Sequence, residues 1–116
     1  MPWIEASIVR FVEEHLPTIV ECEFKDAEGQ VHRVVDKDAI FAEQSLWSDS
    51  VYPALGGIRC RVLELRHVEP DRNLALITIA EPDFLETTDG RTEFLVLESQ
   101  VLRNKSARRT DLNTPP

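Results

Sequence analysis

Apolar positions in the first part of the chain recur at the spacing of an amphipathic helix. The positions that would form one face recur at i, i+4, i+7, i+8 and i+11: Ile4, Ile8, Phe11, Val12 and His15. Pro2 suits the first turn of a helix, and Pro17 is a residue at which a helix ends. The pattern predicts an N-terminal helix over residues 3–15, packed on the rest of the protein by its apolar stripe.

After residue 18 the spacing of apolar positions changes to two. Apolar and charged side chains alternate in the run Val20-Glu21-Cys22-Glu23-Phe24-Lys25, as in a strand with one solvated face. The next four residues, 26–29, have turn chemistry, because Asp26 can bond its own backbone and Gly29 accepts a positive φ. A second strand is predicted over residues 30–36. Together these segments predict a β-hairpin.

Further strands are predicted over the apolar runs 58–68, 74–80 and 92–97, with a short one at 101–102. The alternation in the first of these runs slips at Val62-Leu63, which predicts a bulge or a sharp bend. Residues 37–57 are less regular. Within them residues 39–42 form a candidate short strand, the remainder is predicted to be a long loop, and Gly56-Gly57 is interpreted as a turn into the next strand.

These elements predict a mainly β (α+β) fold. About five short strands would form a small antiparallel sheet that curls into a barrel or half-barrel, with the N-terminal helix covering an open side. Residues 1–102 are predicted to be one small domain. Residues 103–116 have no apolar period and are predicted to be a disordered basic tail.

Length and composition place the chain among ordinary globular domains. It has 116 residues, of which 42% are hydrophobic and 29% charged. It contains no apolar run near the ~20 residues of a membrane span, and the N-terminus carries Glu5 where a secretory signal would be basic. The sequence therefore predicts a cytoplasmic protein with no membrane association.

The charge is strongly acidic and unevenly distributed. Thirteen basic residues stand against 21 acidic ones, a net charge of −8, and the segment 103–116 holds an excess of basic ones. The body of the protein would repel phosphate backbones, which excludes nucleic acid as a partner. The charge fits a basic protein partner, the alternative being that it serves solubility alone. The sequence leaves a monomer and a homodimer both open.

Residues with catalytic or metal-binding chemistry lack the necessary spacing. The candidate metal ligands are isolated from one another: Cys22, Cys60, His32 and His67. The two cysteines lie in alternating apolar runs and are predicted to be buried, reduced thiols. No nucleophile elbow and no phosphate loop is present. We therefore assign no catalytic residue, no metal and no cofactor, and the sequence favours a non-enzymatic protein.

Aromatic and acidic side chains in two predicted loops form the candidate protein-binding site. Its members are Trp47, Asp49 and Tyr52 in the first loop, with Glu81, Asp83, Glu86 and Asp89 as an acidic rim. Aromatic residues dominate binding hot spots, and rim charges steer association. Two alternatives stay open: Trp47 caps the core, because large aromatic side chains are well buried on average, and the acidic segment is simply a solvated loop.

Several short motifs between residues 18 and 98 resemble those of small uncharacterised bacterial proteins. The motifs are Cys22-Glu23-Phe24-Lys25-Asp26-Ala27-Glu28-Gly29-Gln30-Val31-His32, Asp36-Lys37, Tyr52-Pro53, Ile58-Arg59-Cys60, Glu81-Pro82 and Thr92-Glu93-Phe94. The resemblance implies a small bacterial β-domain and no catalytic residue.

Two functional hypotheses follow. The first is a non-catalytic acidic protein-binding module, in one concrete form an immunity-type inhibitor of a basic toxin, whose negative charge imitates a phosphate substrate. The second is a small enzyme whose acids and histidines converge only in the fold. A cleft holding a protected histidine beside carboxylates would favour the enzyme, and a convex surface would favour the binding module.

Overall fold

A computed structural model describes residues 1–13, 17–42, 46–68 and 72–103. Within them the chain is mostly strand, as the sequence predicts. The strands run over Trp3–Glu13 (β1), Ile19–Lys25 (β2), Val31–Lys37 (β3), Ala54–Arg59 (β4), Arg61–Val68 (β5), Arg72–Thr78 (β6), Glu93–Leu97 (β7) and Val101–Leu102 (β8). The helical elements of this described part are α1 (Asp38–Phe41) and a 3-10 turn at Glu98–Gln100.

The strands form two antiparallel sheets. The first has the order β3-β2-β1-β4, with β8 paired to the beginning of β1, and the second has the order β5-β6-β7. The chain passes from the first sheet to the second at Cys60, between β4 and β5. The predicted mainly β, antiparallel fold is confirmed, but the single curled sheet of about five strands is wrong. The eight described strands divide at this point into two sheets that do not close into a barrel.

The predicted N-terminal helix over 3–15 is also wrong. Residues 3–13 are strand β1, and residues 14–16 lie outside the described part of the chain. Ile4, Ala6 and Ile8 are buried in strand alternation. The register with β2 then shifts between Ile8 and Arg10 and again between Phe11 and Glu13. Each shift changes by one residue which side chains of the strand point into the core. The spacing of apolar side chains in this bulged strand therefore resembles that of a helix.

The predicted hairpin is confirmed. β2 and β3 pair without a register shift from Ile19 opposite Lys37 to Lys25 opposite Val31. The Asp26 carboxylate accepts hydrogen bonds from the backbone N–H groups of Glu28 and Gln30, at 2.9 and 3.0 Å. Gly29 has a φ of 82°, the conformation for which a glycine was expected in this turn.

The predicted slip at Val62-Leu63 is confirmed, but the predicted strand around it is too long. The register between β5 and β6 shifts between Val62 and Glu64, which makes Leu63 the bulged residue. The run 58–68 is not one strand, because Cys60 separates β4 from β5. The prediction of a strand at 39–42 is wrong as well, since these residues fall in and just after α1.

The glycine pair at 56–57 does not form a turn. Both residues lie inside β4, opposite Ala6 and Glu5 of β1. A Cβ on Gly56 would lie 3.0 Å from two side-chain atoms of Ile8 and 3.1 Å from the carbonyl oxygen of Phe41. Glycine is needed here for a close approach of α1 to the sheet, not for a change of chain direction.

One hydrophobic cluster fills the space between the sheets. The buried side chains that compose it are Ile4, Ala6, Ile8, Val20, Cys22, Phe24, Val34, Phe41, Leu46, Ile58, Cys60, Ala75, Ile77, Ile79, Leu85, Phe94 and Val96. Phe24 of the first sheet meets Phe94 of the second edge to face, with ring centroids 5.1 Å apart. Of the predicted disordered tail over 103–116, residues 104–116 lie outside the described part of the chain.

Candidate functional site

The loop that carries Trp47 is fixed by its own hydrogen bonds. The Trp47 N–H donates to the Ser50 hydroxyl oxygen at 2.9 Å, and the Ser50 N–H donates back to the Trp47 carbonyl at 3.1 Å. The Tyr52 hydroxyl donates to the same carbonyl at 2.7 Å, while its ring packs on the core cluster. Burial, together with the negative charges of Asp38 and Asp49, raises the pKa of Tyr52 against an opposing hydrogen bond with Ser50. The tyrosine is therefore a neutral hydrogen-bond donor that supports the loop.

Trp47 does not cap the core. Its side chain is 53% exposed, and the neighbouring Val51 is 87% exposed. The core position is taken by Leu46, which is 9% exposed and whose N–H donates to the Asp38 carboxylate at 3.1 Å. The loop thus turns Leu46 inward and Trp47 outward. Trp47 and Val51 form an exposed apolar tip, with Asp49 exposed between them.

The acidic connection between β6 and β7 is less acidic in effect than its sequence indicates. Asp83 forms a bidentate ion pair with Arg59, whose guanidinium also lies over the Trp3 ring at 5.9 Å from the centroid. Glu81 pairs with Arg61 at 3.0 Å. Two arginines thus neutralise two of the predicted rim acids. Asp83 supports the loop through its ion pair with Arg59.

Phe84 is the residue that the sequence reasoning missed. Its side chain is 89% exposed, and its backbone φ is +57°, a left-handed conformation that is rare for a bulky residue. Its N–H donates to the Ala80 carbonyl at 3.0 Å, and the next N–H, that of Leu85, donates to the Ile79 carbonyl at 3.1 Å. Leu85 is 2% exposed. The left-handed residue thus allows one side chain to point into solvent and the next to anchor the loop in the core. The signal in the sequence was a single aromatic residue within the acidic run 81–89.

The remaining rim acids lie further along the same connection. Asp89 accepts a hydrogen bond from the Thr87 hydroxyl, which, with the nearby positive charge of Arg91, lowers the pKa of Asp89. The N–H of Thr88 donates to the Arg33 carbonyl of β3 at 2.9 Å. Glu86 is exposed between the two ends. The connection between β6 and β7 therefore contacts both edges of the first sheet: β4 through the Arg59–Asp83 ion pair, and β3 through the hydrogen bond from Thr88 to Arg33.

The structure separates the predicted site into two groups. Tyr52 precedes the first residue of β4, whereas Asp83 is bound to Arg59, the last residue of that strand. A six-residue strand places its ends roughly 17 Å apart. Trp47, Asp49 and Tyr52 thus belong to one loop, and Glu81, Asp83, Glu86 and Asp89 belong to another with Phe84 at its tip.

The described histidines do not form an accessible catalytic centre. His32 is buried, its Nε2–H donates to Asp26 Oδ2 at 2.8 Å, and its ring lies against Phe24 and Phe94. Burial raises the pKa of Asp26, but the hydrogen bond from His32 and those from two backbone amides outweigh it, so that this pKa is lowered overall. The exposed His67 donates from Nδ1 to Asn73 Oδ1 at 2.7 Å. The Asp26–His32 pair therefore holds the hairpin turn to the core.

An open pocket of about 570 Å³ lies where the beginning of β6 meets the end of β7. It is lined by Arg72, Asn73, Leu97, Glu98 and Ser99. One nitrogen of the Arg72 guanidinium, Nη2, donates to the Ala27 carbonyl at 2.9 Å and to Glu28 at 3.3 Å. The Arg72 side chain, which lines this pocket, therefore attaches the beginning of β6 to the hairpin turn.

Metal-binding and thiol chemistry find little support in the described ranges. No group of three or more His, Cys, Asp or Glu side chains within them could hold a metal ion. Cys22 and Cys60 are both buried thiols. Burial raises the pKa of Cys60 to about 12, which keeps it protonated and unreactive at neutral pH.

Comparison with protein-family models, with curated proteins and with solved structures found no match for this chain. In the part of the chain that the structure describes, no helix has the length and apolar character needed to cross a membrane.

Proposed function

We propose that the protein is a non-catalytic binding module for a basic protein, with Trp47 and Phe84 as its apolar anchors. The observation that carries the proposal is the exposure of these two aromatic side chains on loops whose backbones are fixed by hydrogen bonds. The two anchors lie near opposite ends of β4.

Fixed aromatic side chains are well suited to binding because they need little further ordering. Tyr and Trp side chains add large contact area, and an anchor that is already held in place loses less entropy when a partner closes on it. Tyr52 holds the backbone of Trp47, and the Arg59–Asp83 ion pair holds the base of the Phe84 loop. The left-handed φ of Phe84 supports the same view, because strained backbone conformations concentrate at functional sites.

The charge of the protein supports a basic partner. The chain carries a net charge of −8, and acids without an arginine partner in the described contacts stand near both anchors: Asp49 beside Trp47, and Glu86 beside Phe84. Such charges accelerate the approach of a basic protein and are screened by salt. An immunity-type inhibitor of a basic toxin is one concrete form of this function.

The alternative of a small enzyme has less support. The described acids that pair with a cation do so with Arg59, Arg61 and other surface arginines, and the one histidine held beside a carboxylate, His32, is enclosed by aromatic rings. Replacing His32 and measuring turnover would bear on this alternative only if a substrate were found, so the binding experiment comes first.

The test is affinity capture from an extract of the source cells with three matched baits. These are the wild-type protein, the double variant Trp47→Ala/Phe84→Ala, and the control Val35→Ala, which removes an exposed apolar side chain from β3. We expect a basic protein that is enriched on the wild type and on Val35→Ala and is lost from the double variant. Equal capture by all three folded baits, or capture of acidic proteins alone, would contradict the proposal.

A further inference from the structure

Strand β5 is an open edge of the second sheet. Its pairing with β6 extends from Arg61 opposite Thr78 to Val68 opposite Arg72. Throughout the described ranges, no main-chain hydrogen bond joins β5 to any element other than β6. Every residue of β5 except the half-buried Val62 is exposed.

Two other outer strands, β7 and β3, each receive a main-chain hydrogen bond from a loop. The outer side of β7 is engaged at Leu95, whose carbonyl accepts the Ala27 N–H at 2.8 Å. The outer side of β3 is engaged at Arg33, whose carbonyl accepts the Thr88 N–H at 2.9 Å. Each of these two edges is thus engaged at one point by a loop of the chain, whereas β5 receives no such hydrogen bond within the described ranges.

The side chains of β5 favour pairing. Leu65 is 63% exposed, and Leu63 and Val68 are 41% and 40% exposed. Exposed sheet edges are often protected by proline, bulges or charged side chains; β5 has no proline, and its charged Glu64 and Arg66 are paired with each other. Its bulge lies at Leu63 near the beginning of the strand, so the ladder from Glu64 to Val68 is unbroken.

We propose that β5 pairs antiparallel with β5 of a second copy of this chain, with Leu65 on the two-fold axis. In this register Glu64 lies directly opposite Arg66 of the partner subunit, and the same pair repeats on the other side of the axis by symmetry. Within one chain these two side chains already share a face of the strand, since Arg66 Nε donates to Glu64 at 3.0 Å. The dimer joins the two three-stranded sheets into one sheet of six strands.

Charge complementarity selects this register over its neighbours. An axis through residue 64 would set two glutamates against each other, and an axis through residue 66 would set two arginines against each other. Like charges directly opposite are destabilising in antiparallel pairs, whereas opposite charges and apolar pairs are stabilising. Only the axis through Leu65 combines an apolar pair at the centre with two ion pairs beside it.

The test is the molar mass of the full chain as a function of concentration, measured by light scattering after size exclusion. We expect a dimer to form at concentrations up to roughly 1 mM. Leu65→Lys should weaken it at least tenfold, because two lysines would then meet on the axis. The control Val35→Lys, at an exposed position of β3 in the first sheet, should leave the dimer unchanged. A wild-type protein that stays monomeric, or a dimer that Leu65→Lys does not weaken, would overturn the proposal.

Charge exchange tests the register. Glu64→Arg and Arg66→Glu should each weaken the dimer, and the two substitutions together should restore it, because a symmetric interface then regains both ion pairs in reverse. Should the combined variant stay monomeric while its thermal unfolding is unchanged, the Leu65-centred register is wrong.

Amide hydrogen exchange tests the pairing without mutation. The β5 amides should become more protected from exchange as the protein concentration rises, and protection that is independent of concentration would contradict the pairing.

Discussion

At the scale of single residues, Gly56 shows how one position is determined by a neighbouring element. The space that a Cβ would need is taken by the Ile8 side chain and by the backbone of α1. The sequence displayed only a glycine pair, and glycines are most common in turns. The tertiary contact that requires glycine here comes from residues 15 and 48 positions away in the chain, which local reasoning cannot detect.

Gly56→Ala should lower the free energy of unfolding by about 1–3 kcal/mol, the usual cost of overpacking. The Ile8 side chain can move, but the Phe41 carbonyl oxygen belongs to the backbone and can give way only if α1 shifts. Urea unfolding measures the change. Ser7→Ala, at an exposed position of β1, is the control. A loss below about 0.5 kcal/mol would show that α1 does not press on β4.

Asp26 makes stability depend on pH. Its pKa is lowered in the folded protein, so the stability that it contributes is present above the unfolded pKa of about 3.9 and is lost as the pH falls through the lower, folded pKa. Asp26→Asn should cost about 1–3 kcal/mol at pH 7, because hydrogen bonds to a carboxylate are stronger than those to an amide.

Urea unfolding at pH 7 and at several acidic pH values checks this prediction. The difference in stability between the wild type and Asp26→Asn should narrow as the pH falls below about 4. Asp49→Asn, on the exposed Trp47 loop, should change stability at pH 7 by less than about 0.5 kcal/mol. A difference between wild type and Asp26→Asn that stayed constant over the whole range would exclude a linked titration of Asp26.

At the scale of elements, the strands that alternate regularly could be predicted and the bulged strand could not. β2 alternates buried apolar and charged side chains, β3 pairs with it without a register shift, and Glu23 and Arg33 form an ion pair across the solvated face at 2.8 Å. In β1 the positions of Ile4 and Ile8 fit both a helix and a strand. The small, buried Ala6 between them was the residue that distinguished the two, and its low bulk made it easy to overlook.

In the loops, the sequence pattern could not predict which side chains are exposed. Trp47 and Phe84 are both large aromatic residues near loop tips, yet periodicity does not apply there and cannot state which side chain turns outward. Leu46 and Leu85, each directly adjacent to an exposed aromatic residue, are the buried ones. Backbone conformation decides the outcome, and at Phe84 that conformation is the left-handed one, which is rare for phenylalanine.

Packing between the sheets should depend on Phe94. Its side chain is 1% exposed and meets the rings of Phe24 and His32. Phe94→Ala should cost about 3–5 kcal/mol of unfolding free energy, because the cavity cannot collapse between two sheets. Phe84→Ala is a matched control, since the same side chain is lost from an exposed site, and it should change stability by less than about 0.5 kcal/mol. Similar losses for the two variants would contradict the assignment of inner and outer faces.

At the scale of the whole molecule, the acidic charge and the exposed aromatic residues act together. Composition predicted the charge, but not its compensation: Arg59 and Arg61 neutralise Asp83 and Glu81, and arginines also cross-link the outer face of the first sheet. The acids that remain for steering are fewer than their number in the sequence indicates. Binding strength should therefore depend on the aromatic anchors, and the charge should govern mainly the rate of encounter.

The most direct test of this account is the binding kinetics of the captured basic partner on immobilised wild type, Trp47→Ala and Phe84→Ala. The account predicts that each aromatic substitution raises the dissociation rate constant by at least about 30-fold, the equivalent of a hot-spot residue, while thermal unfolding is unchanged. Asp49→Asn combined with Glu86→Gln should lower the association rate constant at low salt and have little effect at high salt. Dissociation rates unaltered by both aromatic substitutions in folded protein would contradict the central claim.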